Sequence, residues 1–112
     1  MANNIVLLAS DHNGVEQKEA VKAYLETLGC IAIDLGPFTA ESSVDYNTHA
    51  EMLAQPISSG DVPRGILICG TGVGMSIVAN RFSHVRAVLA HNYMAAEKSR
   101  EHNDSNVLCL GA

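Results

Sequence analysis

The sequence contains no tryptophan, and its other aromatic residues are three tyrosines and two phenylalanines among 112 residues. Positive charge is also scarce, because seven Lys and Arg stand against twelve Asp and Glu and give a formal net charge of −5. Nucleic-acid-binding domains usually carry a clustered basic surface. The composition therefore argues against a protein that binds nucleic acid or another polyanion.

Long apolar runs are missing as well. No segment approaches the roughly 20 apolar residues that a membrane-spanning helix needs. The short apolar run near the N-terminus follows "MANN", which has no basic residue, so it does not resemble a secretory signal. We therefore expect a cytoplasmic protein without membrane contact.

The cysteines and histidines lack the spacing of a metal site. The three cysteines form no CxxC pair, and none of the five histidines has the i, i+4 arrangement of a helical metal motif. An odd number of cysteines also argues against a disulfide framework. We expect reduced thiols and no bound metal. The cysteines are Cys30, Cys69 and Cys109.

Five short apolar runs alternate with segments of helical periodicity. Strands that are almost wholly apolar are typical of a parallel sheet covered on both faces. The sequence therefore predicts one domain over residues 1–112, a Rossmann-like three-layer α/β/α sandwich with a five-stranded parallel sheet. Gly29 should end the first helix, and Pro56 should kink or shorten the second. The predicted strands are 4–10, 30–36, 64–69, 85–90 and 106–110, and the predicted helices are 15–29, 47–59, 70–82 and 91–103.

The third predicted strand runs into "CGTGVG", residues 69–74. Its alternating glycines allow backbone amides to turn toward an oxyanion or a phosphate. The dinucleotide motif GxGxxG fails because Met75 stands at its last glycine, and the Walker loop fails because Thr71 stands where lysine is required. Nicotinamide cofactors and nucleoside triphosphates are therefore disfavoured.

Cys69 at the end of this strand has two interpretations. A cysteine that ends an apolar strand is often a small buried hydrophobic residue. A thiol beside a helix start can instead have a lowered pKa and accept a proton. Thr71 could then donate to an oxygen that becomes negative in the same step, which suggests proton abstraction next to a carbonyl group. On the second interpretation we expect Cys69 to line an open cavity above the glycines.

Five segments together resemble one enzyme family in order and spacing, from about residue 5 to the last residue. These segments are similar to the ribose-5-phosphate isomerase B and galactose-6-phosphate isomerase family. The resemblance implies an aldose–ketose isomerase of carbohydrate metabolism that works through a cis-enediolate without metal or organic cofactor. The segments are "SDHNG", "SVDY", "RGILICGTGVGMSIVANR", "VRAVLAHNYMA" and "SREHNDSNVLCLGA".

The resemblance also implies roles for individual residues. Cys69 matches the base that moves a proton between C1 and C2, since Met75 replaces the glutamate base of some members. Thr71 and the amides of Gly70 to Gly74 match the loop that stabilises the enediolate, and His102 matches the proton donor for ring opening. The implied substrate-binding residues are Asp11, His12, Tyr46, Gly70, Gly72, Val73, Gly74 and Asn103.

Each assignment has a structural alternative. Asp11 could only cap the first helix, and Tyr46 could be ordinary packing. His102 and Asn103 could only end the fourth helix. His91 could equally be a surface or helix-capping residue. The remaining histidines, His49 and His84, receive no role.

The chain departs from the family in its length. Members usually continue beyond this point with a C-terminal helix and with arginines that hold the phosphate, a task that suits bidentate guanidinium groups. We therefore expect the C-terminal helix to be missing, so that the sequence is a fragment or a neighbouring chain covers the exposed face.

The preferred function is the interconversion of ribose 5-phosphate and ribulose 5-phosphate by a homodimer or higher oligomer with sites between subunits. One alternative is a galactose-6-phosphate isomerase subunit or an isomerase of another phosphosugar. The other is a non-catalytic module that binds a phosphosugar. The sequence does not separate these three.

Overall fold

The computed structural model describes residues 4–40 and 45–112. Its five strands form one sheet in which all paired strands are parallel. The strand order is β2-β1-β3-β5-β4, so the last strand lies inside the sheet and the fourth lies at an edge. The strands are β1 (Ile5–Ser10), β2 (Ile31–Asp34), β3 (Arg64–Cys69), β4 (Ala87–Leu89) and β5 (Val107–Gly111).

Four α-helices connect these strands. A short 3-10 turn at His12–Gly14 precedes the first helix, and Gly29 ends it with a left-handed φ of 82°. Pro56 does not end the second helix, which continues past the proline to Ser58, one residue short of its predicted end. The helices are α1 (Val15–Thr27), α2 (Tyr46–Ser58), α3 (Val73–Ala79) and α4 (Tyr93–Asn103).

The two faces of the sheet are covered to different extents. Helices α2 and α3 pack closely on one face, and the buried core lies between them and the strands. Helices α1 and α4 lie on the other face, with a groove of about 510 Å³ between them. This arrangement confirms the predicted three-layer sandwich. The core includes Leu7, Ala9, Leu53, Leu67, Cys69, Met75 and Cys109.

A buried ion pair joins α1 to the end of β2. Lys18 is fully buried, and its Nζ lies 2.7 and 2.8 Å from the two carboxylate oxygens of Asp34. The same ammonium group donates to the carbonyl of Pro37 at 2.9 Å. The loop after β2 is therefore fixed to the helix that follows β1. Within the two described ranges, no helix has both the length and the apolarity needed to cross a bilayer.

Candidate active site

The loops after β1 and β3 meet at the carboxyl edge of the sheet. From β1 the chain continues to β2 on one side, and it then crosses back to form β3 on the other side of β1. The loops after β1 and β3 therefore flank the point where the order of the strands reverses. The backbone N–H of Asp11 donates to the carbonyl of Ile68 at 3.0 Å. The side-chain nitrogen of Asn13 lies 3.7 Å from the position that a Cβ on Gly70 would take. Ligands of open parallel sheets bind at such a position.

The turn after β3 places a backbone amide against the thiol of Cys69. Gly72 has a left-handed φ of 82°, and its N–H donates to the sulfur of Cys69 with an N···S distance of 3.1 Å. A Cβ at Gly72 would lie 2.6 Å from the Cδ1 of Leu89. Both the backbone angle and the space therefore require glycine here. A backbone donor is therefore already in place against this sulfur atom.

The thiol of Cys69 is nevertheless almost fully covered, with 5% of the residue exposed. A cavity of about 630 Å³ lies at this edge, and it is lined by Gly70, Thr71 and His91 but not by Cys69. The expectation that Cys69 lines an open cavity is therefore wrong for this cavity. The reason is the alternation of side chains along β3: Cys69 points to the face covered by α2 and α3, whereas the cavity opens beside α4.

A second buried thiol, Cys109, lies on the adjacent strand β5. Burial, and to a smaller extent the charge of Cys69, raise the pKa of Cys109 to about 12. Cys109 therefore keeps its proton at neutral pH. Of the two thiols, Cys69 is the better candidate for a base, because its sulfur accepts the hydrogen bond from Gly72.

The side chains of Thr71 and Tyr46 lie beside this turn. The hydroxyl oxygen of Thr71 accepts from the N–H of Val73 at 3.2 Å, so its own proton can be donated to a ligand. The ring of Tyr46 covers Gly74, since a Cβ there would lie only 2.7 Å from the ring carbon Cε2. Val73 is exposed. The "SVDY" segment begins at residues 43 and 44, which lie outside the described residues.

Asp11 and His12 follow β1 directly. One carboxylate oxygen of Asp11 accepts from the N–H groups of Asn13 and Gly14 at 2.9 and 3.1 Å, so Asp11 does cap the turn before α1. The Nδ1 of His12 is buried without a hydrogen-bond partner among the described residues. Buried polar atoms nearly always have partners, so this nitrogen is available to a ligand or to water.

Two other buried polar atoms at this edge also lack a partner, and no sequence pattern pointed to either of them. They are the hydroxyl of Ser10 and the Nδ1 of His49, each without a partner in the described part of the chain. The Nε2 of His49 lies 3.8 Å from the position that a Cβ on Gly36 would take. His49 is therefore close to the loop after β2, a proximity that no local sequence pattern indicates.

His102 and Asn103 lie at the opposite edge of the sheet. Helix α4 starts after β4 and ends at Asn103, just before β5, so its last turn is at the amino edge. Strand β3 has six residues, which separates the two edges by about 20 Å. One chain therefore brings together Cys69, Thr71, Asp11 and Tyr46, but it does not bring His102 to them.

The described ranges 4–40 and 45–112 contain no group of three or more His, Cys, Asp or Glu side chains arranged to hold a metal ion. The candidate site is thus made of a thiol, hydroxyl groups, imidazoles, a carboxylate and backbone amides. Such groups can move protons and bind a polar ligand.

Comparison with known proteins gives a consistent set of similarities. Residues 6–112 match the family described as ribose/galactose isomerase. The solved ribose 5-phosphate isomerase B of Anaplasma phagocytophilum is 49% identical with a TM-score of 0.90, over 99% of this chain and 75% of that chain. The enzyme of the same name from Mycoplasma genitalium, solved with bound ribulose 5-phosphate, is 37% identical with a TM-score of 0.90, over 96% of this chain and 71% of that one.

A relative with a different named substrate is similarly close. The 4-deoxy-4-sulfo-D-erythrose isomerase of Clostridium sp. (strain MSTE9) is 46% identical over 106 residues, which are 95% of this chain and 67% of that protein. Similarity in sequence therefore extends across relatives that act on different sugars.

Proposed function

Since this chain belongs to the ribose/galactose isomerase family of aldose–ketose isomerases, we propose that it interconverts ribose 5-phosphate and ribulose 5-phosphate. The similarity to a protein solved with bound ribulose 5-phosphate supports this substrate pair. The hydrogen bond from the Gly72 N–H to the sulfur of Cys69 is the observation that carries the proposal, because it places a donor against the atom that would hold negative charge if Cys69 acted as the base.

We propose that the thiolate of Cys69 takes the proton from C2 of the open-chain aldose. The electrons of the C–H bond then form the C1–C2 double bond, and the carbonyl oxygen O1 becomes negative. A proton moves from O2 to O1, and the Cys69 thiol returns its proton to C1, which gives the ketose. No atom is gained or lost, so the step needs neither an oxidant nor a reductant.

The developing charge on the enediolate oxygens needs donors that are already in place. The hydroxyl of Thr71 and the amides of the turn from Gly70 to Gly74 are the donors that we assign to it. Removal of one such donor in comparable oxyanion sites costs about 3 to 4 kcal/mol of transition-state stabilisation. Asp11 and His12 would contact the sugar hydroxyls from the loop after β1, and Tyr46 would line the same side.

Ribose 5-phosphate is mostly a closed ring, so a proton donor must first act on the ring oxygen. We assign this step to His102, with Asn103 as its neighbour at the substrate. Because both lie at the amino edge of the sheet, we propose that they come from a second copy of the chain. Each complete site would then contain the carboxyl edge of one chain and the amino edge of the other.

The proposal is tested by incubating the purified protein with ribose 5-phosphate in deuterated water. We expect the parent to incorporate solvent deuterium at C2 and the Cys69→Ala variant to lose about 10² to 10⁴-fold in exchange rate, the usual contribution of a positioned acid or base. Cys30→Ala removes a thiol away from the site and should retain the parent rate. Equal exchange in Cys69→Ala and in the parent would remove Cys69 from its role.

The identity of the sugar is tested with the same assay and a panel of substrates. The 46% identical relative supports 4-deoxy-4-sulfo-D-erythrose as the second candidate. Galactose 6-phosphate belongs in the panel as the other family substrate. Binding of ribose 5-phosphate by the parent without exchange on any of these sugars would support the non-catalytic module instead.

A further inference from the structure

We propose that Arg86 and Asn106 are positioning residues that hold the last turn of α4 so that His102 reaches the ring oxygen of the substrate. We call these two side chains the brace. The inference rests on the proposed function, because it assigns the brace a part in the ring-opening half of the reaction.

Arg86 binds the helix at the residue next to His102. Its Nε donates to the carbonyl oxygen of Asn103 with a distance of 2.6 Å. The last carbonyls of a helix have no partner within the helix, so their orientation depends on groups from outside it. The guanidinium group of Arg86 supplies such a donor and also places a positive charge at the helix C-terminus, where the helix dipole favours it.

Asn106 fixes the segment that carries Arg86. Its side-chain oxygen accepts from the N–H of Arg86 at 2.8 Å, and its side-chain nitrogen donates to the carbonyl of His84 at 2.8 Å. The N–H of Asn106 donates in turn to the carbonyl of Arg86 at 3.0 Å. Since Asn106 directly precedes β5, these bonds tie Arg86 to an inner strand of the sheet.

The last turn of α4 is also fixed on its buried side. The hydroxyl groups of Ser99 and Ser105 are 2.8 Å apart and buried. The carbonyl of Ser99 accepts the N–H of Ser105 at 3.2 Å. His102 itself is exposed, so its imidazole projects from a backbone that is held on two sides. This is the arrangement expected of a proton donor presented to a second chain.

Placement of this kind has a large effect on rate. A proton donor must come within hydrogen-bond reach of the atom that it protonates. Lysine cannot replace the arginine fully, because the planar guanidinium offers a donor in a fixed direction and the ammonium group does not. If the brace positions His102, a change of Arg86 should therefore lower the rate of ring opening and leave the rate of proton transfer at Cys69 largely unchanged.

The experiment separates these two steps with two substrates. The C5 oxygen of ribulose 5-phosphate is esterified, so this ketose cannot close a five-membered ring and needs no ring opening. Deuterium incorporation at its C1 therefore reports the Cys69 step alone. Turnover of ribose 5-phosphate reports ring opening as well. Both are measured for the parent, Arg86→Met, Arg86→Lys and His102→Asn.

We expect Arg86→Met to lose about 10- to 100-fold in turnover of ribose 5-phosphate, as misplacement of a group by about 1 Å can do. Its exchange at C1 of ribulose 5-phosphate should fall by less than about 3-fold, the same selective pattern as His102→Asn. Arg86→Lys should lie between parent and Arg86→Met. Arg81→Met removes the same charge from another exposed position and should match the parent.

Three results would overturn the inference. A parallel loss of turnover and exchange in Arg86→Met, in an active parent, would show a general structural role and leave the proposed function in place. A parent that shows neither turnover nor exchange would contradict the proposed function and the brace together. Unchanged turnover in Arg86→Met would likewise exclude the brace as a positioning device.

Discussion

The two edges of the sheet hold their candidate residues by different means. At the carboxyl edge Cys69 and Asp11 are at most 9% exposed, and the nearby loop is fixed by the buried pair of Lys18 and Asp34. At the amino edge His102 and Asn103 are exposed on the last turn of a helix that hydrogen bonds hold to the strands. The chain thus buries Cys69 and Asp11 at the carboxyl edge, whereas His102 and Asn103 at the amino edge project outward. This difference is what a site shared between two chains would require.

The largest expected effect comes from mixing two inactive variants. In the proposed dimer, Cys69→Ala damages the carboxyl edge and His102→Asn damages the amino edge, so each variant alone should lose at least about 100-fold in turnover of ribose 5-phosphate. In a co-refolded equal mixture, half of the dimers would contain one chain of each kind. Each such dimer has one undamaged site, so the mixture should recover about a quarter of the parent activity.

If the mixture showed only the summed activity of the two variants, the interpretation that the two edges belong to one shared site would be wrong. That result would mean that the site is not assembled from two chains. A matched control mixes Cys69→Ala with a Cys69→Ser variant, where every site lacks the thiol and no recovery is expected. Turnover is followed by the formation of the ketose at fixed total protein concentration.

Much of the fold could be predicted from the sequence because its signals are local. The apolar run that became β3 and the glycine that ends α1 both lie within a residue or two of the predicted positions. The order of the strands was not predictable in this way. The insertion of β5 between β3 and β4 depends on which strands pair, and pairing is a contact between distant parts of the chain.

The types of residue in the candidate site could be predicted from the sequence, but their arrangement in space could not. The pattern "CGTGVG" indicated a thiol beside backbone amides, and the structure contains that hydrogen bond. The sequence could not reveal that Cys69 points into the packed face, because one residue more or less in the strand would reverse its direction. Lys18 gave no signal either, since a lysine in an amphipathic helix is usually on the surface.

A stability measurement sharpens the contrast between enclosed and exposed contacts. Lys18→Met leaves the carboxylate of Asp34 buried without its partner, and breaking such a pair costs about 3 to 5 kcal/mol in the free energy of unfolding. Lys98→Met breaks the exposed pair with Glu101 on α4, which is worth less than about 1 kcal/mol. Urea unfolding of the two variants and the parent gives both values.

The buried pair itself can be separated from simple loss of packing. The double variant Lys18→Met with Asp34→Asn removes both charges, so it should recover part of the stability that Lys18→Met loses. If Lys18→Met were as stable as Lys98→Met, the carboxyl edge would not depend on its buried pair. The contrast between the two edges would then rest on the exposure of the candidate residues alone.

An effect smaller than that of Lys18→Met is expected at the end of α4, where Asp104 has a left-handed φ of 50°. Glycine adopts this conformation without the Cβ strain of about 1 to 2 kcal/mol, so Asp104→Gly should unfold at higher urea concentration than Asp104→Ala. The exposed contact of Asp104 with Arg100, 3.4 Å long, is lost in both variants and cancels in the comparison. Equal stability of the two variants would show that the exposed edge relaxes away from this backbone angle. In that case the last turn of α4 is not held rigidly enough to present His102 in a fixed direction.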